Sequence, residues 1–247
     1  MPRTATDPES RRVRDPDATR GRRPPPATIV YPESDGKPMS DNTRQYEYIV
    51  TIKEGIEALF PDSNVAVFGN LLWYPTEGDA RTRAAPDVMV AFGRPKGHRG
   101  SYRQWEEGGI APQVVFEVLS PSNRPAEMAR KHAFYQRHGV LEYYVYDPDH
   151  ETLAGYLREA GRLAPIPEMN GWTSPRLGIR FVPTPTGLEL HRPDGRRFET
   201  FQEVVCRADL AQRRADDAQR RADDAQRRAD ELQRRLDQVL RDEAKPR

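Results

Sequence analysis

The sequence predicts a layered α/β (α+β) fold: a mixed β-sheet flanked by helices and extended by a long C-terminal helix. Three observations carry this reading. Short runs of β-branched and aromatic residues, at 65–68, 87–90, 113–120 and 141–146, have the length and composition of strands. Other segments carry apolar residues at helical spacing, most clearly Ile49, Ile52, Ile56, Leu59 and Phe60. From Phe201 onward the pattern becomes a seven-residue repeat.

In chain order, residues 1–27 alternate Arg, Asp and Pro with almost no large apolar side chain. Such a segment cannot nucleate a core and is expected to be a disordered, mildly basic arm, either a solvated tail or a nucleic-acid contact. The folded domain is expected over 28–200. Ser40 and Asp41 can cap a helix over 43–60, which Pro61 and Asp62 end. The strand at 65–68 bends at Gly69 and is expected to continue through 70–74. A polar loop then leads to the strand that opens with Asp87. Residues 93–105 form a long loop of glycine, basic and aromatic residues, a composition common where loops are functional. The turn Ser120-Pro121-Ser122-Asn123 can cap a helix over 125–138, with Gly139 beyond its end. The strand at 141–146 stops at Asp147-Pro148. Runs at 152–158 and 161–167 suggest a hairpin, and 177–182 and 188–192 the last strands. The 125–138 helix should be a crossover between neighbouring parallel strands.

Residues 201–247 are expected to form a heptad-repeat helix. Phe201, Val204, Ala208, Ala211, Ala215, Ala218, Ala222, Ala225, Ala229, Leu232, Leu236 and Val239 fill the a and d positions. Asp216 with Arg220, and Asp217 with Arg221, are i,i+4 pairs that support the helix itself. Alanine buries little area, so the seam is weak in its middle and stronger at its leucine end. A homodimer through this helix is the expectation, and a lone solvated helix the alternative.

Bulk properties exclude several classes. The chain has 247 residues and a formal net charge of +1, so its overall charge indicates no polyanionic partner. Cys206 is the single cysteine, which rules out an intrachain disulfide or a cysteine-based zinc site. No apolar run approaches the roughly 18 residues of a membrane span, and no apolar secretory segment opens the chain. A cytoplasmic protein without membrane contact is expected.

The chemistry centres on one strand. Glu117 lies in the middle of the otherwise apolar run 113–120, and a buried carboxylate costs several kcal/mol unless paired. Pro-Asp occurs at Pro16, Pro61, Pro86, Pro148 and Pro193, and usually marks a turn. Only Asp87 leads straight into an apolar strand with a central acid about thirty residues further on. Downstream, Lys131 offers a cation on a helix. Two carboxylates on adjacent strands repel unless a cation lies between them, and hard divalent metals take such oxygen ligands. The same residues also admit a structural reading, with Asp87 capping a turn, Glu117 paired to an arginine and Lys131 bonded to Glu127. Glu47, Glu54 and Glu77 are further candidate acids, each also readable as solvated surface. His132 and His138 lack metal-ligand spacing. Lys96, Arg99 and Arg103 in the basic loop could contact phosphates, with Tyr102 or Trp105 stacking on a base or anchoring the loop.

Pro86-Asp87 followed by Glu117-Val118-Leu119 resembles the metal-binding signature of the PD-(D/E)XK nuclease superfamily. More narrowly, five motifs resemble the Uma-type putative restriction endonuclease family over roughly residues 40–200. They are Asp87-Val88-Met89-Val90, the run from Phe116 to Ser122, Lys131 with Tyr135, the run from Gly139 to Tyr144, and Asp147-Pro148. The resemblance implies a restriction endonuclease-like fold and metal-dependent hydrolysis of DNA phosphodiester bonds. It implies that Asp87, Glu117 and the Val118 carbonyl hold Mg2+ or Mn2+, and that Lys131 assists the attacking water. One departure stands out. The superfamily places a lysine two residues after the acid, where this chain has Leu119, and the resemblance to the Uma-type family implies that Lys131 on the following helix takes its place. Two readings from other classes are a non-catalytic nuclease-like module that assembles partners through its helix, and a carboxylate-pair hydrolase acting on sugars.

Overall fold

A computed structural model describes residues 29–34, 36, 40–61 and 64–243. The arm expected over 1–27 lies outside these residues, as does the side chain of Val239. The chain divides into two units, Met1–Val30 and Tyr31–Arg247. The first contributes only Ile29 and Val30 to the described residues, in irregular backbone.

The second unit is a mixed α+β structure. Its helices are α1 (Thr43–Leu59), α2 (Pro125–Arg137) and α3 (Phe201–Glu243). Its strands are β1 (Val65–Gly69), β2 (Trp73–Tyr74), β3 (Val88–Phe92), β4 (Tyr102–Arg103), β5 (Val114–Val118), β6 (Glu142–Asp147), β7 (Thr152–Glu159), β8 (Arg162–Pro165), β9 (Arg180–Thr184) and β10 (Gly187–His191). Six strands make the main sheet, in the order β1-β3-β5-β6-β7-β8. All neighbours in it are antiparallel except β5 and β6. Those two are parallel and joined through α2, the expected crossover.

Alternation along the strands builds a core on each face of the sheet. On one face Val88, Val90, Val114, Phe116 and Val118 meet Ile49, Ile52 and Ile56 of α1 and Phe181, Leu188 and Leu190 of the β9–β10 hairpin. Each such isoleucine contributes about 1.5–3 kcal/mol on burial. On the other face Met89, Ala91, Val115 and Tyr143 meet Trp73, Tyr102, Tyr135 and Val140. Buried on both sides, β3 and β5 read as continuous apolar runs, as the sequence showed.

Several details differ from expectation. Asn42 caps α1, accepting from the Gln45 amide, and Asp41 is taken by Ser120 and Ser122 instead. The run 70–74 does not prolong β1. Asn70 adopts φ +49° and turns the chain away, and Trp73–Tyr74 pairs in parallel with Tyr102–Arg103 in a separate small sheet. Asn123 does not cap α2. Its side chain accepts from the Ser120 amide, and Arg124 occupies the N-cap with no side-chain cap bond. Gly139, at φ +93°, ends α2 as expected. On α3 the Asp216 and Asp217 carboxylates do not pair four residues on. Gln212 donates to Asp216, and Arg220 reaches Asp217 at 3.2 Å.

Candidate active site

Strand register sets the two acids side by side. β3 pairs with β5 so that Val88 faces Phe116 and Met89 faces Val115. Continued by one residue, Asp87 falls level with Glu117, and alternation sends both side chains to the face that carries Met89 and Val115. The Asp87 carboxylate accepts a 2.7 Å hydrogen bond from the Val118 amide, tying the start of β3 to the end of β5. Asp87 is 8% exposed and Glu117 2%.

Helix α2 crosses this face and supplies two partners one turn apart. Lys131 Nζ lies 2.6 Å from Glu117 Oε2 and 3.4 Å from the Ala85 carbonyl. The Tyr135 hydroxyl donates to the other Glu117 oxygen. Glu117 is therefore held at both oxygens. From α1, Gln45 donates its side-chain amide to the Val118 carbonyl at 2.7 Å. This buried glutamine was not among the expected site residues. Its neighbours in sequence signal only a helix, and its role depends on how α1 packs.

Electrostatics follow from this crowding. Burial pushes the Asp87 carboxyl well above its ordinary value, and the neighbouring Glu117 adds to the rise against the opposing pull of Lys131. Burial alone would lower the Lys131 ammonium, but Glu117 and Asp87 reverse that and raise it. Lys131 is thus a charged cation at neutral pH. Burial, followed by the charge of Glu117, raises the Tyr135 phenol, which stays a protonated donor.

Asp87 and Lys131 open into a cleft of about 620 Å³, lined also by Asn70, Asp41, Arg83 and Arg130, while Glu117 lies behind them and does not line it. The Asn70 amide nitrogen is buried with no hydrogen-bond partner among the described residues. Arg130 is exposed, with no hydrogen bond or ion pair shown among them. The cleft cations are therefore Arg83, Arg130 and Lys131. Lys96, Arg99 and Arg103 do not line it. Arg99 is held by Glu107 at 2.5 Å, Arg103 reaches Glu106 at 3.2 Å and lies over the Tyr31 ring, and Lys96 reaches the Glu57 carbonyl. The basic loop is folded on its own acid. Burial raises the Glu107 carboxyl, but Arg99 and Arg94 outweigh it and hold the group below the usual range. Glu47 and Glu54 are exposed on α1, with Glu54 paired to Lys53, and Glu77 is exposed on its loop. His132 packs on Tyr143 and Tyr156, and His138 on Trp73 and Phe134.

The donor set fits a hard divalent cation. Two carboxylates stand on adjacent strands, and the Val118 carbonyl keeps a second lone pair beside its bond to Gln45. Mg2+ sites commonly use one or two carboxylates and complete their shell with water and phosphate oxygens. Among the described residues no three His, Cys, Asp or Glu side chains cluster as a metal site.

Comparison with known proteins finds a family match for the chain. The profile of the Uma2 family, described as putative restriction endonuclease, matches residues 37–180, a span containing Gln45, Asp87, Glu117, Lys131 and Tyr135. Among solved structures the chain is similar to a putative nuclease belonging to DUF820 from Anabaena variabilis. The identity is 20% and the TM-score 0.44, over 57% of this chain and 77% of that one. No curated protein matches the chain.

Proposed function

The chain belongs to the Uma2 family of putative restriction endonucleases, and from that premise we propose that it is a metal-dependent endonuclease hydrolysing DNA phosphodiester bonds. The observation that carries the proposal is the reach of Lys131 from α2 to Glu117 on β5, at 2.6 Å. A lysine on the helix thereby arrives beside the strand acid although Leu119 stands where the superfamily signature has lysine.

In this reading Asp87, Glu117 and the Val118 carbonyl hold Mg2+ or Mn2+. When bound, the ion lowers the pKa of water and neutralises charge building on the phosphoryl group. The chain's own groups do the rest. Tyr135 and Lys131 fix the Glu117 carboxylate at both oxygens, so it meets a ligand without reorganising. Gln45 steadies the Val118 carbonyl from behind. The Lys131 ammonium orients the attacking water and stabilises the phosphoryl oxygens as charge develops. Water attacks phosphorus in line and gives up a proton to solvent as the new phosphorus–oxygen bond forms, the bond to the leaving oxygen breaks, and that oxygen takes up a proton from solvent. Arg83 and Arg130 flank the cleft as contacts to neighbouring phosphates, and Asn70 offers its unpartnered amide to the bound strand. The protein acts as a homodimer through α3.

Nicking of supercoiled DNA tests the proposal. Wild type with Mg2+ should relax the plasmid, and Asp87→Asn or removal of the metal by chelation should abolish this. Wild type that is inert with both Mg2+ and Mn2+ would favour the non-catalytic module instead.

A further inference from the structure

Helix α3 spans 43 residues, about 65 Å at 1.5 Å per residue. Its described side chains, Phe201 to Gln238, are exposed or half-exposed, and the bonds shown from the preceding residues to its side chains reach only Glu203 and Arg207 in its first two turns. Phe201 is 78% exposed, Leu232 66% and Leu236 53%, all on the a/d seam. The seam is therefore mixed: bulky at both ends and alanine in the middle.

The positions flanking the seam differ on its two sides. One flank, position g, carries Arg207, Arg214, Arg221, Arg228 and Arg235. The other, position e, carries Gln212, Gln219, Gln226 and Gln233. Each of these glutamines donates its amide nitrogen to an aspartate one turn on, namely Asp216, Asp223, Asp230 and Asp237, at 2.7–2.9 Å. That bond leaves the amide oxygen as an acceptor. In a parallel pair position g faces position e of the partner one heptad on, so Arg207, Arg214, Arg221 and Arg228 as donors meet Gln212, Gln219, Gln226 and Gln233 as acceptors in four successive heptads. In an antiparallel pair g faces g, and Arg214, Arg221 and Arg228 would be set against arginines along the middle of the seam.

We propose that α3 pairs with α3 of a second copy as a parallel, in-register two-stranded coiled coil. The inference rests on the self-association stated above and specifies its geometry. Like layers then stack on like: Phe201 and Val204 at one end, Leu232 and Leu236 at the other. Both globular domains emerge at the same end of the stalk, which suits a dimer that presents two clefts to one duplex.

The single cysteine is a built-in reporter. Cys206 is exposed and outward-facing in the second turn of α3. A nitroxide placed there on the full-length protein gives one intermolecular distance by pulsed electron paramagnetic resonance. The parallel pair predicts a short distance, with backbones about 13–15 Å apart across the coiled coil. An antiparallel pair displaces the two sites by about 40 Å along the axis. A dimeric mass in light scattering with a short distance, both lost in Leu232→Asp/Leu236→Asp while the unfolding temperature of the domain is unchanged, supports the proposal. A dimer with the long distance overturns the orientation but not self-association. A monomeric wild type overturns both, and a short distance that survives the double substitution places the contact on another surface and overturns the seam. Plasmid nicking, read separately, reports on the nuclease proposal alone.

Discussion

Asp87 links the stability of the fold to the proposed chemistry. Burial, reinforced by Glu117, raises its carboxyl above the ordinary value of 3.8. The native state therefore holds a proton that the unfolded chain has already lost, and the stability this residue contributes falls as pH rises from about 4 toward the raised value. Asp87→Asn should accordingly melt at a higher temperature than wild type at pH 8, with the difference closing near pH 4. Mg2+ should raise the wild-type melting temperature at pH 8 and leave the variant unmoved. Parallel melting curves for the two proteins across this range would contradict the account. Lys131 behaves oppositely. Its raised pKa keeps its contribution fully present below the ordinary 10.5, lost only in alkali, so it adds no slope between pH 5 and 9. Removing it as Lys131→Ala strands the buried Glu117 carboxylate, at a cost of about 3–5 kcal/mol. At this scale the sequence disclosed much. An acid inside an apolar strand demands a partner, and Asp87 and Lys131 were both in view. Gln45 was not, because a glutamine on a helix acquires meaning only when its end is buried on a neighbouring strand.

Elements meet where residues are shaped for the meeting. Gly55 lies inside α1, where glycine costs about 0.5–1 kcal/mol relative to alanine. A Cβ there would run into the ring of Phe198, which is buried just before α3 begins. Gly55→Ala should therefore lower stability by about 1–3 kcal/mol despite better helix propensity, as read by chemical denaturation. A stabilised variant would show that Phe198 yields freely. Buried Glu142 offers a second junction. It accepts from the Tyr144 hydroxyl at 2.9 Å, from Ser174 and from the Arg176 amide at 2.8 Å, joining β6 to the loop before β9. Strand and helix positions were legible from period and composition, and the crossover followed from them. The ends were not. Asn42 and Arg124 occupy the N-cap positions because Asp41 is engaged by Ser120 across the fold and Asn123 by the Ser120 amide within its own turn. The basic loop misled for a related reason: Glu107, eight residues from Arg99, absorbs charge that looks available in the sequence.

In the whole unit, one sheet is packed on both faces, and the proposed site lies on one of them. Helix α1 and the β9–β10 hairpin cover the first, while α2, β2 and β4 cover the second beside the cleft. Among the described residues no helix is long and apolar enough to cross a membrane. With the basic loop self-paired, substrate affinity should rest on Arg83 and Arg130. Arg130→Ala should weaken DNA binding and reduce the slope of log affinity against log salt by about one. An unchanged slope would move the phosphate path elsewhere. The central claim is that a lysine delivered by α2 serves the acids of β3 and β5. Single-turnover cleavage of a duplex with saturating Mg2+ tests it most directly, comparing wild type with Lys131→Gln, which keeps a hydrogen-bond donor but loses the charge. The account predicts that the cleavage rate falls by about 10²-fold or more while DNA binding stays within a few-fold. Cleavage at the wild-type rate by a folded Lys131→Gln would contradict it.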